Sequence, residues 1–221
     1  MENRGSYYLF KSKLCLKNID FTMQACLYFL LCMGVMITQT GCKSEYTRYV
    51  ETEIAKGIKN DSLILGMFMG QTRQDFFTRC LELNKQQIIT DGGSMDAKFV
   101  EAYDSLGDNT KRKEMLFYGL FDDKTNVMYG MRMTFSYFGW TLWNEDLHAD
   151  KLIWDVRDKL MKDYGGNPFI EVDLSGDTLK SLVKIDGNRR IVIVPKNKKD
   201  VYVKIEDLNY VLNQKKVNNE S

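Results

Sequence analysis

The chain has two prolines, one histidine and five cysteines in 221 residues, and its 31 basic residues are matched by 30 acidic ones. Each shortage excludes something. So few prolines beside 44% hydrophobic content leave no room for a collagen-like repeat or a disordered low-complexity chain. Balanced charge provides no long-range field toward nucleic acid or an anionic bilayer, so no nucleic-acid partner is expected. A lone His, with no His-x-x-x-His or Cys-x-x-Cys pattern in the chain, cannot build a structural zinc site. Phosphate loops are missing too, because neither Asp91-Gly92-Gly93 nor Gly165-Gly166 belongs to a Gly-x-x-x-x-Gly-Lys or Gly-x-Gly-x-x-Gly pattern. The composition is that of a globular protein and excludes a multi-span membrane protein.

What is present begins at the N-terminus. Arg4, Lys11, Lys13 and Lys17 precede the apolar run Ala25–Ile37, and small residues follow it; basic, then apolar, then small is the order of a secretory signal. The run is about 13 residues long, whereas a permanent membrane span needs roughly 20. The alternatives are a signal anchor from about Phe21 to Thr40 and a start at Met23, which would discard the basic region. Thr38-Gln39-Thr40-Gly41-Cys42 then resembles the lipobox of bacterial lipoproteins, departing from it at Gln39, where that family has an aliphatic residue. The resemblance implies that residues 1–41 are a signal peptide, that Cys42 becomes a lipidated N-terminus, and that the chain is held to a membrane of the cell envelope, on the periplasmic side or the cell surface.

Cysteine usage agrees with export. Cys15, Cys26 and Cys32 lie in the segment to be removed, Cys42 would carry the lipid, and Cys80 alone remains in the folded part, so no internal disulfide can form there. Removal of residues 1–41 takes four basic and two acidic residues, leaving 27 against 28, a formal charge of −1 over 180 residues. A chain of that size buries about 70% of its unfolded surface, enough for one core without covalent staples.

Within the mature part, residues 42–62 are polar and sparsely apolar and read as a tether. A single α+β domain is expected over 63–212, and a polar tail over 213–221. Thr72 followed by Asp75 forms a capping-box pattern, and Phe76, Phe77, Cys80, Leu81 and Leu83 give a helical apolar face ending near Asn84. Asp91–Ser94 breaks the chain, with a short strand expected near Phe99. Val127, Tyr129, Met131, Met133, Phe135 and Tyr137 alternate with Met128, Gly130, Arg132, Thr134 and Ser136, which predicts a strand; Leu116–Phe121 pairs with it across the turn residues Asp122–Asn126. A second helix starts at a cap on Asn144 or Asp146, carries Ala149, Ile153, Val156, Leu160 and Tyr164 as its stripe, and stops at Gly165-Gly166. Strands over 181–185, 190–194 and 201–205 complete a meander.

Helices on one face of an antiparallel sheet are the expected architecture, with a duplicated helix–hairpin unit suggested by helix starts about 74 residues apart. Gly70, Thr72 and Phe76 after a lipidated tether are similar to the start of the small SmpA/OmlA-type envelope lipoproteins and the β-lactamase-inhibitor-like fold related to them. That resemblance implies a binding or assembly role and brings no catalytic residues.

Candidate chemistry is sparse. Cys80 lies on the apolar stripe and reads as a buried thiol; as a nucleophile it would need a base, and His148, the only His, is on another helix among Glu145, Asp146 and Asp150. The loops Asp122, Asp123, Asn126 and Asp173, Ser175, Asp177 are acidic but lack calcium-loop spacing. No spacing selects a carboxylate pair, and neither a metal nor a cofactor is expected.

Tyr137-Phe138-Gly139-Trp140-Thr141-Leu142-Trp143 stands out, because consecutive Tyr137 and Phe138 must point to opposite sides of a strand. Tyr137, Phe138, Trp140 and Trp143 are therefore the expected partner-binding residues, toward an envelope protein or a glycan, unless Trp140 and Trp143 fold under the second helix. These features describe a non-catalytic, lipid-anchored binding protein. A small envelope hydrolase using unselected carboxylates and a secreted inhibitor are the alternatives.

Overall fold

A computed structural model describes residues 44–105, 109–173 and 181–219. The chain divides into two compact units, Met1–Glu45 and Tyr46–Ser221. The first, with Cys42 and the expected signal, lies outside the described residues apart from Ser44 and Glu45. The second carries the whole sheet.

The elements are α1 (Glu45–Ala55), α2 (Arg73–Lys85), β1 (Ile89–Asp91), β2 (Ala97–Val100), β3 (Lys113–Phe121), β4 (Met128–Tyr137), α3 (Ala149–Tyr164), β5 (Ile170–Val172), β6 (Ser181–Asp186), β7 (Arg189–Pro195), β8 (Val201–Asp207) and α4 (Leu208–Asn219). Among the described residues, eight strands form one antiparallel sheet in the order β1-β2-β3-β4-β8-β7-β6-β5. The fold is α+β. Two four-stranded meanders meet where β4 pairs with β8, Met133 opposite Val203.

Local chemistry accounts for the elements that the sequence announces. The Thr72 side chain accepts from the Asp75 N–H, and the Asp75 carboxylate accepts from the Thr72 N–H and hydroxyl, so the reciprocal box is complete and α2 starts at Arg73. These bonds hold the exposed Asp75 carboxyl below its usual range. The second helix starts later than its expected cap. Asn144 caps a 3-10 turn over Glu145–Leu147 by accepting from the Asp146 N–H, and α3 then begins after His148, whose side chain makes no capping bond.

The best strand is not a continuous alternation. Between Leu120 and Phe121 the register of β3 on β4 shifts, so Phe121 pairs with Met128 and Leu120 with Gly130, leaving Tyr129 as the extra residue. This bulge turns Met128 into the core while Val127 stays exposed, the reverse of the expected assignment for both. Gly130 is required where it lies, since a Cβ there would overlap the Ile205 carbonyl of β8.

Residues 44–62 do not run as a free tether. From Glu45 to Ala55 the chain is helical, and Val50 of α1 packs with Val183, Ile185 and Leu208 in a second core cluster on the side of the sheet away from α3. The Tyr49 hydroxyl donates to the Ile185 carbonyl at 3.0 Å, and buried Glu53 accepts from the Gly187 N–H at 3.3 Å and pairs with Lys56 at 2.6 Å. Ile58, Asn60, Asp61 and Ser62 continue the attachment through bonds to Asn188, Asp186 and Arg189. Gly187 holds a φ of +58°, and a Cβ on it would strike the Ile58 carbonyl.

The expectation of helices on one face is corrected accordingly. α2 and α3 share the main core with Phe117, Met133, Phe135, Ile193 and Val203, whereas α1 and α4 cover the opposite face over β6 and the end of β8. α4 stacks Tyr210 on Tyr129 at 4.2 Å and continues through Asn219, with residues 213–217 helical and exposed. Among the described residues, no helix is long and apolar enough to cross a membrane.

Candidate functional site

The aromatic segment leaves β4 as a loop that the fold fixes at both ends. Tyr137 is fully buried, and its hydroxyl donates to Asp155 of α3 at 2.7 Å; burial, reinforced by that carboxylate, pushes the phenol far above its ordinary range. At the other end Leu147 is buried and the Ala149 N–H donates to the Lys198 carbonyl, tying the loop to the β7–β8 connection.

Between those anchors the rings separate. Phe138 is 54% exposed, with its N–H on the Arg112 carbonyl and the Arg112 guanidinium 4.7 Å above its ring. Trp140 is half-buried against the main core, tilted on His148 with centroids 6.3 Å apart, and its buried indole N–H has no hydrogen-bond partner among the described residues. Trp143 is 88% exposed and Leu142 49%. His148 Nε2 lies 3.2 Å from the Leu142 carbonyl, bracing the loop tip against the start of α3. Trp140 thus packs inward on the core and Trp143 forms the outer surface. Beside them opens a cleft of about 500 Å³ lined by Glu145, His148, Asp150, Lys151, Asn197 and Lys198.

No protein-family model, curated protein or solved structure matches the chain.

The remaining candidates fall into structural places. Cys80 is half-buried on the core side of α2, and burial raises its thiol to about 11, which keeps it protonated at neutral pH. Asp122 accepts from the Lys124 and Thr125 N–H groups, the Thr125 hydroxyl and the Tyr210 hydroxyl. The Tyr210 bond first, then those of the turn, bring its carboxyl down to about 2. Its lone pairs are committed to closing the hairpin. Of the second acidic loop, Ser175 and Asp177 lie outside the described residues, as does Cys42. Among the described residues, no group of three or more His, Cys, Asp and Glu is placed to hold a metal ion.

Two contacts escape the sequence expectations for different reasons. The docking of α1 does have a signal, because Tyr46, Tyr49, Val50, Glu53 and Ile54 recur at helical spacing ahead of Gly57, which takes a φ of +65°. Phe138 and Arg112 are 26 residues apart, and nothing local announces their pairing.

Proposed function

We propose that the chain is a lipid-anchored cell-envelope protein, tethered through Cys42, that holds an envelope protein or glycan at the loop after β4 and carries out no chemistry. The observation that carries this reading is Trp143, a large apolar ring left 88% exposed at the tip of a loop whose two ends are locked into the core. An exposed Trp on a fixed base offers contact area at small entropic cost, as binding anchors do. Phe138 and Leu142 extend the apolar area, and the cleft along Glu145, His148 and Lys198 adds a polar flank.

In the same reading the fold is two copies of one unit. α2 with β1–β4 and α3 with β5–β8 are each a helix followed by a four-stranded meander, and the units join through their last strands. Trp143 then belongs to the segment between the units, where the sequence is free of repeat constraints.

The test is Trp143→Ala, alone and with Phe138→Ser, in the full chain. The expected result is an unchanged melting temperature and loss of the partner that co-purifies with the unaltered protein from envelope extract. Retention of that partner by the double variant overturns the assignment.

A further inference from the structure

The way α1 is docked limits how far the domain can stand from an N-terminal lipid. Tyr46, on its first turn, accepts a hydrogen bond from the Arg190 guanidinium at 2.8 Å, and Arg190 is itself ion-paired with buried Glu206. The chain is therefore fixed to the sheet from Tyr46 onward. Only Lys43, Ser44 and Glu45 separate that residue from Cys42. Four peptide steps reach at most about 14 Å, whatever their conformation.

The direction of α1 says which surface lies at the end of that short leash. Glu53, late in the helix, reaches Gly187 at the tip of the β6–β7 hairpin, whereas Tyr46, at its start, sits over Arg190 and Glu206, inside the sheet. From Tyr46 onward α1 thus lies over the face of the sheet that α2 and α3 do not cover. On β2, β3, β4 and β8 this face carries Lys98, Leu116, Arg132, Thr134, Tyr202 and Lys204, all half-exposed, while the neighbours along β3, β4 and β8 are buried on the other side.

We propose that this open face lies against the headgroup layer of the membrane that holds the lipid, an inference that rests on the lipidation of Cys42. The chemistry suits a headgroup layer. Tyr202 and Leu116 supply interfacial apolar surface. The lysines and Arg132 are paired with acids on the same face, Lys98 with Glu114 at 2.7 Å, Arg132 with Asp96 at 2.8 Å and Lys204 with Glu206 at 2.5 Å, so the surface is amphipathic without strong net charge. Such a face has little affinity of its own. The leash supplies the effective concentration that keeps it in place. The domain works at the bilayer surface and does not reach across the envelope.

Lysine footprinting of the full chain tests this without altering the face. The purified protein is treated with a water-soluble amine-reactive ester in detergent and again after reconstitution into vesicles of phosphatidylethanolamine and phosphatidylglycerol. Modification is read residue by residue by mass spectrometry, and fatty-acid labelling is followed in the same preparation. The expected result is a several-fold fall at Lys98 and Lys204 in vesicles, with Lys151 and Lys159 of α3 unchanged. A Gly/Ser spacer of about 20 residues between Lys43 and Ser44, reaching roughly 25 Å, restores the lost reactivity. A lipid-labelled protein in vesicles that shows no difference between the two pairs of lysines overturns the docking. A chain with no fatty-acid label overturns the anchor itself, and the docking with it.

Discussion

Trp140 and Trp143 are three residues apart and do opposite work. Trp140 packs on the core and on His148, so its truncation removes buried contacts; Trp143 has almost none to lose. In a urea titration Trp140→Ala is expected to cost about 2–4 kcal/mol, toward the low end for large aromatic rings because the residue is only half-buried. Trp143→Ala should stay within about 0.5 kcal/mol of the unaltered chain. The sequence shows that four aromatics crowd the exit of β4, since a strand cannot turn adjacent residues to one side. It does not show which ring goes inside, because that depends on Lys198 and His148 closing the loop from other elements. The local stripe at Cys80 is only partly realised, since Phe77 and Leu81 are exposed and the thiol is half-buried, and that thiol is expected to react slowly with a charged reagent until denaturant is added.

At the scale of elements, α2, the β3–β4 hairpin and the final meander are legible because their signals are local: a cap three residues from its partner, alternation, and turn residues between strands. α1 is harder to see. Its apolar residues are few, and two of its principal contacts are made by the hydroxyl of Tyr49 and the carboxylate of Glu53, which hydropathy counts as polar. The bulge at Tyr129 is invisible for another reason, since alternation reads through an inserted residue without a break. Removing the Tyr49 hydroxyl leaves both backbone groups of Ile185 without that partner. Tyr49→Phe is expected to cost about 1 kcal/mol and to speed proteolysis within residues 45–62 before the sheet is cut.

At the scale of the whole molecule, acids tie the added elements to the sheet. Burial alone would raise the Glu53 carboxyl, but hydrogen bonds from Lys56 and the Gly187 N–H outweigh it and hold it below its usual range. At Glu114 burial is likewise outweighed by bonds from Lys98 and Ser136. Asp122, which joins the β3–β4 turn to α4, is lowered to about 2. A depressed acid stabilises the fold fully above its unfolded value, near 4, and that stability is lost as the pH falls through the folded value. Unfolding by urea should therefore become easier between about pH 4 and pH 2, and Asp122→Asn should flatten that dependence while lowering stability at neutral pH.

The central claim, that a partner is held at the loop after β4, is tested most directly by placing a photo-crosslinking benzoylphenylalanine at position 143 in the full chain in living cells, with position 154 on α3 as the comparison. Trp154 is also exposed but lies outside the loop. A discrete adduct is expected from position 143 that is absent or much weaker from position 154. No adduct from position 143, or the same adducts from both positions, would contradict the claim.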